Sequence, residues 1–269
     1  MIEIIILFLT GIFIGGLVGM FGIGGGLIMV PVITFILMGF HEFHINDAVI
    51  SGVATSLASI ILSAFISTLS HHYNQNIDWK VVHKFSWGVV VGALFIGNYL
   101  PQLPTDLIRS TFIVYTFIAA YKILSPYKVL RNKSIPSFIV SNSIGLFFST
   151  ISGLIGIGGG TLFVPYLTSR GIGIKLAIGI SSSLGLIIGL GSSITLYLSW
   201  QELSMINRES MVGAVYMPAI FFLTLPSLIF VKLSADCLQK ISDKRIKIAF
   251  AYLLIAVGLF MFFINQFFL

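Results

Sequence analysis

A thirteen-residue stretch occurs twice in this chain of 269 residues: GMFGIGGGLIMVP from Gly19 to Pro31 and GLIGIGGGTLFVP from Gly153 to Pro165, identical at eight of the thirteen positions. Such self-similarity marks two copies of one structural unit. Each copy places four glycines within five residues, Gly22 to Gly26 and Gly156 to Gly160. A glycine in a helix interior costs roughly 1 kcal/mol relative to alanine and leaves the backbone poorly covered. The chain must therefore break its helix at the same point in both halves.

The breaks fall in an almost wholly apolar setting. With 57% hydrophobic and 9% charged residues, the chain has too little polar surface to coat a soluble globule. Apolar runs extend over about 2–40, 48–70, 81–100, 107–125, 136–169, 176–198, 210–231 and 246–268, and a span needs about 20 residues. The fold class is an all-α integral membrane protein. The opening MIEIIILFLTGIFIGG has no cationic n-region, so it reads as a retained first helix. The 15 Lys and Arg sit in short connections, which points to membrane orientation and away from nucleic acid. One cysteine, Cys237, allows neither a disulfide within the chain nor a dithiol relay.

The first run of each half is too long for one span, and it is either a broken single crossing or a hairpin returning to its starting side. Charge separates these readings. With two hairpins, thirteen of the Lys and Arg fall on one side and only Arg109 and Arg208 on the other; with two single crossings the split is seven against eight. The positive-inside rule selects the hairpins and puts the cationic side in the cytoplasm. Each half then crosses three times, so the second lies inverted relative to the first, the plan of secondary transporters. Residues 1–130 form the first repeat and 131–269 the second, and the segment PYKVLRNKSIP links them. Both termini are expected outside, with the two glycine turns meeting near mid-membrane. A second pair, GVATSL from Gly52 and GISSSL from Gly179, supports the repeat.

Irregular backbone survives at membrane depth only where protein buries it or where it lines a wet cavity. A new helix starts after each turn, near Leu27 and Thr161, so free N–H groups and a positive dipole end point inward from two directions. That is an arrangement for an anion. Gly24, Gly25, Gly26, Gly158, Gly159 and Gly160 supply the amides, and Thr55, Ser56, Thr161, Ser182 and Ser183 the hydroxyls. Pro31 and Pro165 are expected to bend the short helices. The competing reading uses carbonyls near Phe21 and Ile155 to hold a cation, in a cation-coupled carrier or channel. The purely structural reading has these turns only pack, as Gly11, Gly15 and Gly19 do by their small-residue spacing.

Other chemistries lack their residues. No Lys-Ser/Thr follows the glycines, so they are not phosphate loops. His41 and His44, with Glu42 and Asp47, share one loop and read as solvated interfacial groups and not as a metal site. No Asp or Glu falls at mid-span, which leaves no carboxylate relay, general base or redox pair. Neither enzyme activity, cofactor nor metal is expected.

On G-x-G-G-G-x-x-x-x-P at Gly22 to Pro31 and Gly156 to Pro165, on the hydroxyl segments, and on Asn76-Ile77-Asp78-Trp79-Lys80, the chain resembles the sulfite exporter TauE/SafE family of membrane permeases. The resemblance implies a multi-pass permease of the cytoplasmic membrane that moves a small anionic sulfur compound: sulfite, sulfate, thiosulfate or a sulfonate. Where the family pattern reads Gly-Thr-Ser, this chain has Ala54-Thr55-Ser56 and Ser181-Ser182-Ser183.

Overall fold

The computed structural model describes residues 1–21, 25–124, 135–203, 210–230 and 243–267. Gly24 among the expected amide donors and the loop carrying Cys237 lie outside the described residues. Helix follows helix in the order α1 (Ile2–Phe21), α2 (Gly26–His41), α3 (Ile45–Tyr73), α4 (Trp79–Tyr99), α5 (Thr105–Leu124), α6 (Phe138–Leu154), α7 (Gly160–Ser169) and α8 (Ile174–Leu203). Then come α9 (Met217–Phe230) and α10 (Asp243–Phe263). Among the described residues, Ile45–Tyr73, Trp79–Gln102 and Ile174–Ser199 are long and apolar enough to cross a membrane, and several shorter helices are as apolar. The chain is a multi-pass, all-α membrane protein.

Both glycine runs break the helix where the repeat requires, and the new helices begin at Gly26 and Gly160, one residue ahead of expectation. Each broken run folds back on itself. In the first, the Glu3 carboxylate at the start of α1 lies 3.2 Å from His41 Nε2 at the end of α2. In the second, the Phe148 ring on α6 lies 5.2 Å from Phe163 and 5.7 Å from Tyr166 on α7. These contacts pair the arms of a hairpin, which a single broken crossing would hold apart.

Close contacts between helices also fix their directions. On α1, a Cβ added to Gly11 would stand 2.3 Å from Leu223 O of α9, and one on Gly15 2.4 Å from Ser227 O. These glycines therefore serve close packing, and α1 runs parallel to α9. Helix α6 runs parallel to α4: Gly88 meets Asn142, whose Oδ1 accepts from Gly88 N at 2.7 Å, and Gly92 meets Leu146 and Ser149. Helices α3 and α8 are antiparallel, with Ser67 Oγ 2.8 Å from Ser182 Oγ and Gly189 against Leu57 O. So are α5 and α10, where Gly258 faces Thr116 and Arg109 Nη2 donates to Met261 O and Phe262 O at 3.3 and 3.4 Å. A cation on the last carbonyls of α10 stabilises that helix end.

The run over 210–231 is a departure. It reads as one span, yet Met211–Val212 and Val215–Tyr216 pair as a small antiparallel β-hairpin (β1 and β2) before α9 starts. Gly213 supplies the positive φ of 59° that a two-residue hairpin turn needs. Pro218 sits in the first turn of α9, where its missing N–H costs nothing. Farther on, the helix widens into a π-turn over Ile220–Thr224. Pro226 accounts for it, because its ring cannot pack against the carbonyl four residues back in a regular α-helix. Asp78, in the stretch shared with the family pattern, caps α4 by accepting from Lys80 N at 3.0 Å and Val81 N at 3.4 Å.

Candidate functional site

The two glycine turns touch. Gly26 at the start of α2 lies so close to Gly156 that a Cβ on it would fall 2.0 Å from Gly156 O and 2.9 Å from Ser56 Oγ. Ser56, on α3, donates to that same Gly156 O at 2.7 Å. One residue type permits this approach at position 26, since alanine would already collide with a backbone carbonyl. Gly156 itself has φ of 68°, a conformation that L side chains adopt at a cost. Ser152 Oγ donates to Ile157 O and Ile157 N donates to Ser152 O, the latter at 2.9 Å, so the second turn is closed by its own chain.

Gly156, Gly158, Gly159 and Gly26 are buried, as are Thr55 and Ser56, while Gly25, Gly160 and Thr161 are half-buried. The residues before α2 and α7 are Gly25 and Gly159, which bring no side-chain cap to the helix start. First-turn N–H groups of both short helices therefore depend on backbone, water or solute for partners. No charged side chain is among the described groups that meet at the turns; the polar atoms there are amides, carbonyls and hydroxyls.

The expected hydroxyls divide into two sets. Thr55 and Ser56 stand at the junction: Thr55 Oγ1 donates to Ser51 O at 2.6 Å and accepts from Tyr216 N at 2.9 Å. Ser183 is buried and donates back to Gly179 O at 3.0 Å, which satisfies it within its own helix. Ser182 faces Ser67 instead. Thr161 Oγ1 lies 3.4 Å from Gly158 O and interacts with the Tyr115 hydroxyl. Gly159 packs against α8, a Cβ there falling 3.1 Å from Ser181 O and 3.2 Å from Gly185 N. Ser181, one place before the expected pair, is 1% exposed and its Oγ has no protein partner. Pro31 and Pro165 both lie inside their short helices, five residues after the first helical glycine.

Glu3 and Tyr216, which the sequence reading passed over, form a second polar cluster with His41. His41, expected to be solvated beside His44, turns inward: its Nε2 is 3.2 and 3.3 Å from the Glu3 carboxylate oxygens and 3.1 Å from Tyr216 Oη. The Tyr216 hydroxyl also donates to Glu3 Oε1. Glu3 and His41 were findable in principle, because a hairpin brings the first turn of α1 to the last turn of α2. Tyr216 was not, since its place depends on a β-hairpin that hydropathy hides. Among the described residues no three His, Cys, Asp or Glu side chains converge as a metal site would require.

Residues 7–261 match the family model described as Sulfite exporter TauE/SafE. A probable membrane transporter protein of Haemophilus influenzae is 31% identical over 96% of this chain and 98% of its own length. A probable membrane transporter protein of Methanocaldococcus jannaschii is 30% identical over 95% of this chain and 94% of its own. One from Bacillus subtilis is 25% identical over 69% of this chain and 71% of its own length.

Proposed function

Since the chain belongs to the sulfite exporter TauE/SafE family and is a membrane transporter, we propose that it carries a small oxyanion of sulfur across the cytoplasmic membrane. The solute is held where the two glycine turns meet. Residues 1–130 and 131–269 act as inverted repeats, and their rocking opens the junction to one side and then the other. The opposed directions of α3 and α8, and of α5 and α10, support that symmetry, because equivalent elements of inverted repeats run oppositely. The cationic connections belong to the cytoplasm and both termini to the outside.

One observation carries the reading: Gly26 and Ser56 of one half meet Gly156 of the other. Two helix starts aimed at one place offer amide hydrogens without a fixed cation. A bound anion gives up hydration worth at least several kcal/mol. Two helix ends return roughly 1–2 kcal/mol each and charge-assisted hydrogen bonds roughly 1.5–3 kcal/mol each. The balance is near zero, so binding is weak and reversible, as turnover demands. Amides of Gly24, Gly25, Gly26, Gly158, Gly159 and Gly160 are the proposed donors, joined by the hydroxyls of Thr55, Ser56, Thr161, Ser182 and Ser183 when they turn from their present carbonyl and hydroxyl partners to the solute, with Pro31 and Pro165 bending the arms that carry them.

Flux of labelled sulfite and thiosulfate into proteoliposomes, with and without a Na⁺ or proton gradient, tests this. Saturable anion flux that is lost in Gly159→Val, while the variant still inserts normally, is the expected result. Anion-independent cation flux would replace the proposal by its cation-binding counterpart, and normal flux in the variant would reject the site.

A further inference from the structure

Hydroxyls within these helices commonly bond back to their own backbone. Thr55, Thr168, Ser183 and Thr195 each donate to the carbonyl four residues earlier, the usual habit of Ser and Thr in an apolar helix. Ser182 is committed too, to Ser67 Oγ. Ser181 departs from this habit. It is buried, and its Oγ bonds neither the Ala177 carbonyl one turn back nor any other protein group.

Its place explains what it lacks. Ser181 and Gly185 stand one turn apart on one face of α8, and Gly159, the residue before α7, covers that face. A Cβ on Gly159 would fall 3.1 Å from Ser181 O and 3.2 Å from Gly185 N, and one on Gly185 would fall 3.3 Å from Gly159 N. A hydroxyl on that face, turned away from its own helix, has the start of α7 before it, where first-turn N–H groups and the positive end of the helix dipole lie. Ser181 Oγ could have capped α7 by accepting one of those hydrogens, but it makes no such bond. Hydroxyl and amides thus present hydrogens side by side, and what they share is the want of an acceptor.

We propose that Ser181 is a further solute-binding residue, donating its hydroxyl hydrogen to an oxygen of the transported anion at the start of α7. The inference rests on the anion reading and deepens it, since it assigns the second turn a side-chain donor that is already free of protein partners. The first half has no counterpart. Ala54 takes the equivalent place in GVATSL, and the Gly26 turn is pressed against Gly156 O. The anion therefore sits on the α7 side of the junction.

Calorimetric titration of the full chain in detergent with sulfite and with thiosulfate, beside thermal unfolding without either, tests this. The unsubstituted protein should bind at least one of the two. Ser181→Ala should bind it roughly 10- to 100-fold more weakly, the loss of one charge-assisted hydrogen bond, and in proteoliposomes KM should rise by a similar factor while kcat holds. Without solute, Ser181→Ala should unfold at the same temperature or higher, because an unpaired buried hydroxyl has been removed. Ser193→Ala is the control: its Oγ is also buried without a partner, about 18 Å farther along α8, and affinity should stay as it was. Equal affinity in Ser181→Ala, a lower unfolding temperature of that variant without solute, or an equal loss in Ser193→Ala overturns the proposal. A protein that binds neither anion removes the permease site and the role of Ser181 together, whereas unchanged affinity in Ser181→Ala removes Ser181 alone.

Discussion

The two glycine runs are nearly identical in sequence, yet their surroundings differ. The first presses against the opposite half: a side chain at Gly26 would run into Gly156 O, and Ser56 bonds that same oxygen. In the second, Gly159 packs against its own half, with the nearest α8 atoms 3.1 Å or more from an added Cβ. The hydroxyl pairs differ as well: Thr55 and Ser56 both reach across, to Tyr216 and Gly156, while of the second pair only Ser182 does, to Ser67, and Ser183 bonds its own helix. Repetition in sequence specifies where the helices break. What each break touches is decided by the partner half.

Substitutions ordered by severity put that contrast to the test. Gly26→Ala, forcing a methyl against a backbone carbonyl, should cost about 3 kcal/mol, the upper end for overpacking, and abolish flux; thermal unfolding in detergent reads the first and proteoliposomes the second. Gly156→Ala should cost about 2 kcal/mol, from its left-handed φ and the Val30 side chain 2.8 Å from the new Cβ. Ser56→Ala leaves a buried carbonyl without its hydroxyl and should lower stability by about 1 kcal/mol. Gly159→Ala should cost less than about 1 kcal/mol, because its neighbours need yield only a few tenths of an ångström. Ser182→Ala, partly solvated, should fall within about 0.5 kcal/mol of the parent. A Gly159→Ala as damaging as Gly26→Ala would erase the asymmetry.

Much of the architecture was legible because glycine and charge act locally. The run over 48–70 became Ile45–Tyr73 and the run over 176–198 became Ile174–Leu203, since apolar length sets a span. The count of Lys and Arg favours hairpins over single crossings, and the Glu3–His41 and Phe148–Tyr166 contacts bring the two arms of each run together. The β-hairpin before α9 was hidden because Met211 to Tyr216 are as apolar as any span, and only Gly213 and Pro218 hint at an interruption. His41 misled for a related reason. A loop histidine among polar neighbours looks solvated, and its true partners lie 38 and 175 residues away. For the paired hydroxyls, recurrence was readable in the sequence but direction was not: whether a serine bonds back to its helix or across to another is settled by packing.

The bond from Ser56 to Gly156 spans 100 residues, and that interval sets a clock for biosynthesis. At a translation rate of about 5–20 residues per second, the first half waits on the order of ten seconds in the translocon before its acceptor is made. During that pause the serine and the bare start of the second helix must be sheltered by water or by the insertion machinery. Premature release into lipid at this stage would strand polar backbone in hydrocarbon, so a slow ribosome is a greater hazard for this chain than for a bundle of self-contained spans.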